Sequence, residues 1–129
     1  LNSNNASDFK WASDTRSKGV IAEDLAVDYF LKKGYKVVKR NFRFGKVGEI
    51  DLICLDGNVL AFIEVKARSN NAFGDPLFSI TPQKQRTIRK VADAYLYINK
   101  IINVECRFDV LTIDFTKNEP EFNHLIAAM

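Results

Sequence analysis

The chain has 129 residues, 47% of them hydrophobic and 27% charged, and Lys plus Arg exceed Asp plus Glu by 19 to 16 for a net charge of +3. That balance predicts one globular domain with a single core. No apolar run reaches the ~18 residues needed to span a bilayer, the N-terminus lacks the pattern of a signal peptide, and Cys54 and Cys106 are too few and too far apart for a disulfide framework or a zinc knuckle, so a cytoplasmic protein with reduced core thiols and no membrane association is expected.

Residues 1–17 are rich in Asn, Ser and Asp without an apolar period, and read as a disordered or loosely docked tail to which Phe9 and Trp11 offer anchors. Residues 18–129 form the single folded domain. A helix is predicted over 18–33, where Ile21, Leu25 and Tyr29 recur at four-residue spacing beside Ala22, Ala26 and Phe30, with Gly34 as its stop. Residues 35–44 predict a strand, 44–48 a turn with two glycines, and 49–55 a second strand. Asp56-Gly57-Asn58 is a hairpin signal, and 59–66 the returning strand. A polar loop covers 67–80, a candidate flap on which Phe73 and Phe78 are candidates to stack on a base or to anchor the loop. Thr81 suits a helix N-cap and Pro82 the first helical position, opening a second helix to about residue 99 with Ile88, Val91, Ala92, Tyr95 and Leu96 on one face. Residues 107–115 alternate as a strand, and 121–126 predict a short edge strand. The order gives an α/β fold, a central mixed β-sheet flanked by helices.

Charge is unevenly spread. Lys32, Lys33, Lys36, Lys39, Arg40, Arg43 and Lys46 fall between Leu31 and Gly48 with no acid among them, and Lys84, Arg86, Arg89 and Lys90 form a second cluster. Such local fields suit a polyanion, and equally a solvated surface.

Chemistry concentrates in the hairpin. Strand side chains alternate between faces, so Glu49 and Asp51 share one face of their strand and Glu64 and Lys66 share one face of theirs. With a two-residue loop at Gly57-Asn58, Asp51 lies opposite Glu64; with the loop at Asp56-Gly57, it lies diagonal to Glu64. Either register puts the two carboxylates on one face, roughly 5 to 8 Å apart at Cβ. On a half-buried strand pair otherwise made of Ile50, Leu52, Ile53, Leu60, Phe62, Ile63 and Val65, paired acids are unfavourable unless a cation resolves them. Hard oxygens suit Mg²⁺, and a neighbouring lysine can orient or help deprotonate a water, or offset charge on a phosphoryl transition state. A structural ion pair between Lys66 and an acid is the competing reading.

Asp51 followed by Glu64-Val65-Lys66 resembles the Asp…Glu-x-Lys core of the restriction-endonuclease-like, PD-(D/E)XK, nucleases. The stretches 19–26, Gly34-Tyr35, 40–43, 48–53, 64–68 and 107–110 follow the pattern of the bacterial YraN-type family, itself similar to archaeal Holliday-junction resolvases, over about residues 19–113. Ile50 stands where many superfamily members have Pro, and Ala22 where YraN-type sequences commonly have Gly; neither change removes a functional side chain. The resemblance implies a restriction-endonuclease-like fold and a Mg²⁺- or Mn²⁺-dependent nuclease acting on DNA, branched or damaged DNA included. It implies Asp51, Glu64 and the Val65 carbonyl as metal ligands, Lys66 as the catalytic lysine, and Glu23 as a helix-borne acid reaching the metal directly or through water. Glu49 would stand at or just outside the ligand set. Resolvase-like enzymes are typically dimers, so a homodimer is an expected assembly. A non-catalytic nucleic-acid-binding or adaptor module on the same scaffold is the alternative.

Arg68 and Lys84, with Arg43 and Lys46 from the first basic cluster, are the expected nucleic-acid contacts. Asp109 reads as structural, a partner for Arg107 or for a helix end. His124 reads as a surface histidine, and Cys54 and Cys106 as packing residues.

Overall fold

The computed structural model describes residues 15–68 and 80–129. The expectations for residues 1–14, and for the loop with Phe73 and Phe78, lie outside the described residues. Among the described residues, seven elements follow in chain order: α1 (Thr15–Lys32), β1 (Lys36–Phe44), β2 (Gly48–Asp56), β3 (Val59–Arg68), α2 (Pro82–Ile98), β4 (Glu105–Asp114) and β5 (Glu121–Leu125). The expected α/β architecture is what forms, with α1 beginning three residues ahead of the predicted start.

Local chemistry sets the boundaries. Gly34 takes φ +88, a left-handed conformation that costs glycine little. It lets the Tyr35 N–H reach the Phe30 carbonyl at 2.9 Å and its own N–H reach Leu31 at 3.0 Å, a Schellman closure. Thr81 caps α2 as expected: its Oγ1 accepts from the Lys84 N–H at 3.1 Å, and Pro82 takes the first turn. The hairpin settles on the two-residue loop at Gly57-Asn58, pairing Asp56 with Val59 and Leu52 with Ile63.

The sheet runs β1-β2-β3-β4-β5 in chain order, with β3 and β4 parallel and the other pairs antiparallel. Among the described strands, the β1–β2, β2–β3 and β4–β5 connections join antiparallel neighbours, and β3 passes to its parallel neighbour β4 by the crossover that contains α2. One core packs α1, through Ala22, Ala26 and Phe30, against Leu52, Cys54, Ala61, Ile63, Leu111 and Ile113. The other packs α2, through Ile88, Val91, Ala92 and Tyr95, against Ile53, Leu60 and Phe62. The middle strands are thus buried on both faces rather than half-buried, which explains the uninterrupted run Leu60-Ala61-Phe62-Ile63. Cys54 and Cys106 are free thiols, the first buried and the second half-buried, as expected of packing residues. Among the described residues no helix is long and apolar enough to cross a membrane.

Candidate functional site

The regular pattern of β2 breaks where the acids lie. Ile50 belongs to the core beneath α2, and Leu52, two residues on, to the core beneath α1. Strict alternation would put them on one face, so the strand turns across Asp51. β1 answers this turn: its register to β2 pairs Arg40 with Leu52 and Phe42 with Ile50, which sets Asn41 beside Asp51, and Asn41 has φ +52, a conformation Asn tolerates better than most residues. Pairing of β2 with β3 runs only as far as Leu52 and Ile63, while both strands continue beside their other neighbours. The two strands fork at this point.

Asp51 fills the fork. Its Oδ2 accepts the Val65 N–H at 2.8 Å, a backbone donor that the lost ladder would otherwise leave without a partner. Burial pushes the Asp51 carboxyl up to about 7, and the Glu64 charge and a hydrogen bond shared with Glu64 push the same way, against the Val65 N–H. The two expected ligands do meet, across a fork rather than side by side on a flat face.

Glu64 is buried, and two ammonium groups approach its Oε2: Lys66 Nζ at 3.7 Å and Lys84 Nζ at 3.4 Å. The register alone accounts for Lys66. Lys84 comes from the first turn of α2, and its placement against Glu64 is visible only in three dimensions, although the Thr81 cap signal locates the helix start.

On the α1 side, a cavity of about 180 Å³ is lined by Ala22, Glu23, Asp51, Val65 and Ala67. Glu23 therefore shares this cavity with Asp51, whereas Glu64 and Lys66 are not among the residues that line it. The Glu23 Oε1 accepts from Asn41 Nδ2 at 2.8 Å and lies 3.5 Å from Arg40 Nη2, which also binds Asp24 at 2.8 Å. Glu49 instead pairs with its cross-strand neighbour Arg43 at 3.2 Å and acts on Asp51 only through its charge. Among the described residues, no group of three or more His, Cys, Asp and Glu side chains converges as a metal cage.

The expected nucleic-acid contacts are dispersed around this centre. Lys46 is exposed in the β1–β2 turn, and Arg43 folds back on that turn, donating to the Gly45 carbonyl at 3.2 Å. The turn abuts α2, because a Cβ on Gly48 would lie 2.7 Å from Thr87 Cγ2, one helical turn beyond Lys84. Arg68 ends β3, where its carbonyl accepts the Phe115 N–H at 2.8 Å.

His124 departs from expectation: its side chain is buried, 2% exposed. Nε2 lies 2.9 Å from Asp109 Oδ2, and Nδ1 lies 2.8 Å from Lys33 Nζ. An ammonium can only donate, so Nδ1 accepts and Nε2–H donates to Asp109. Asp109 is fully buried and, as expected, pairs with Arg107, which also binds Asp56 and the Tyr35 hydroxyl. Burial alone would raise the Asp109 carboxyl, but hydrogen bonds from His124, the Ala127 N–H and Arg107 outweigh it and hold the group below its ordinary range. This network ties the C-terminal end of α1, through Lys33 just beyond it, to β4 and the chain end, whereas the acid pair lies beside Ala22 and Glu23 at the middle of that helix.

Fold and site together define an α/β domain consistent with the restriction-endonuclease-like architecture, with an acid pair at a strand fork and lysines against it. The chain belongs to the group described as "Uncharacterised protein family UPF0102", whose family model matches residues 22–113, the family to which the YraN-type motifs point. It is similar to the UPF0102 protein of Natranaerobius thermophilus, 40% identical over 114 residues, covering 87% of this chain and 96% of that one. Similar relatives occur in Clostridium perfringens strain 13, at 44% identity over 78% of this chain and 81% of the relative, and in Chlorobium limicola, at 45% over 78% and 77%.

Proposed function

We propose that the protein is a Mg²⁺- or Mn²⁺-dependent nuclease of the restriction-endonuclease-like superfamily that hydrolyses phosphodiester bonds in DNA, branched or damaged DNA being the favoured substrates. The observation that carries the reading is the meeting of the Asp51 and Glu64 carboxyls at the strand fork, beside Lys66. A partly buried Asp51 whose ionisation is opposed by burial and by the neighbouring Glu64 charge forms, with Glu64, a site that a divalent cation would stabilise. Asp51, Glu64 and the Val65 carbonyl would hold it, and the cavity beside Asp51 and Val65 leaves room for the waters Mg²⁺ retains. Once bound, the cation would supply Lewis-acid stabilisation of the phosphoryl group and an activated water. Lys66 would orient that water or offset the transition-state charge. Glu23, held by Asn41, would bind a water at the cavity mouth. Glu49 stands outside this set, paired with Arg43.

The test is cleavage of four-way junction, flap and single-stranded DNA with Mg²⁺ or Mn²⁺, comparing wild type with Asp51→Ala. Activity that survives the substitution undiminished refutes the assigned site. A second reading is a non-catalytic nucleic-acid-binding or adaptor module on this scaffold. It predicts salt-sensitive DNA binding without turnover under any metal.

A further inference from the structure

Glu64 Oε2 has more cationic neighbours than a simple ion pair needs. Lys84 stands at 3.4 Å and Lys66 at 3.7 Å, both beyond the ~2.7–2.9 Å of a charge-assisted hydrogen bond. The two ammoniums offset a buried charge without locking it. They differ in freedom: the Lys66 side chain is 26% exposed and that of Lys84 is 40%. The backbone of Lys84 is fixed by the Thr81 cap, so only its flexible side chain has room to move.

We propose that Lys84 is a positioning residue that exchanges partners, neutralising Glu64 while Oε2 is free and transferring its ammonium to a backbone phosphate of the nucleic acid when a divalent cation takes that oxygen. The inference rests on the metal-dependent reading above. A divalent cation at the acid pair brings two further positive charges to a place already holding two ammoniums, and like charges within a few ångströms in a partly desolvated cleft repel strongly. Lys84, the more exposed of the two and borne on a separate element, is the one that yields. Its next anion is a phosphate laid across the first turn of α2, where the β1–β2 turn with Lys46 lies one helical turn away. The exchange makes cation and nucleic acid bind cooperatively, because each releases Lys84 to the arrangement the other needs.

The experiment titrates Mn²⁺ into wild type, Lys84→Met and Lys84→Arg by calorimetry. It then measures binding of a phosphorothioate-protected DNA duplex, with and without Mn²⁺, by fluorescence anisotropy at several salt concentrations. Lys84→Met is expected to bind Mn²⁺ alone at least about threefold more tightly than wild type, since the competing ammonium is gone. With Mn²⁺ present it should bind the duplex more weakly, with a salt slope shallower by about one, and the cooperativity should vanish; Lys84→Arg should restore it. Mn²⁺ affinity unchanged or weakened in Lys84→Met, with only a lower melting temperature, identifies a purely structural ion pair and overturns the exchange alone. A wild type that binds no Mn²⁺ overturns both the exchange and the reading beneath it.

Discussion

Asp51→Asn should make the metal-free protein more stable while removing its response to metal. The Asp51 carboxyl titrates near 3.8 in an open chain and at about 7 when folded. A carboxyl raised by folding stabilises the native state only while protonated, so its contribution is intact below pH 3.8 and is lost as pH climbs through 7. By pH 8 the ionised group costs about 4 kcal/mol. Asparagine removes that charge, keeps an oxygen for the Val65 N–H, and offers Glu64 a donor in place of a second acid. The expected gain at pH 8 is ~2–4 kcal/mol, on the order of 10 °C in Tm for a domain of this size. At pH 4 the gap should shrink to under about 1 kcal/mol, because wild-type Asp51 is then protonated in the native state. Urea and thermal melts of both proteins in EDTA, at pH 4, 6 and 8, measure this directly, and a repeat with Mn²⁺ should stabilise only the wild type. An Asn variant no more stable than wild type at pH 8, or a gap that ignores pH, would refute the account of a destabilising acid pair.

Lys66→Met should lower cleavage by about 10²-fold or more, with the fold intact by circular dichroism, assayed on the best substrate of the junction, flap and single-strand panel. Asp109→Asn should cost ~3–5 kcal/mol in urea unfolding, because it leaves Arg107 and His124 facing a neutral amide in a buried network, while Mn²⁺ affinity, read by calorimetry, stays at the wild-type value. Gly48→Ala should destabilise by ~1–3 kcal/mol in the same melts, since Gly48 has φ +157 and its new Cβ would press on Thr87 at 2.7 Å.

Sequence reading reached the fold because its signals are local. Thr81-Pro82 marks a helix start, Gly34 a helix stop, and the apolar periods of α1 and α2 their buried faces. The hairpin was legible only to within one step, since Asp56-Gly57 and Gly57-Asn58 are both acceptable loops; the Asp56–Val59 pair decides it. What was not legible is non-local. The turn of β2 across Asp51 goes with the left-handed Asn41 on β1, and nothing in Glu49-Ile50-Asp51 announces it. His124 looked exposed because its partners, Lys33 and Asp109, lie 91 and 15 residues away. The sequence offers Lys84 only as a nucleic-acid contact, because its distance from Glu64 depends on how the crossover helix docks on the sheet. Among the proposed ligands the geometry separates Asp51 and Glu64, which touch, from Glu49, which its cross-strand arginine holds aside.

The chain-order sheet gives the candidate centre two origins. Asp51, Glu64 and Lys66 belong to one hairpin, a unit able to assemble from neighbouring residues. Lys84 arrives only when α2 seats on the sheet. A chain in which that helix has loosened keeps its paired acids but loses one of the two cations that counter them. The repulsion within the hairpin then grows as the crossover opens, so local opening of α2 and exposure of the acid pair should appear in hydrogen exchange as one cooperative event.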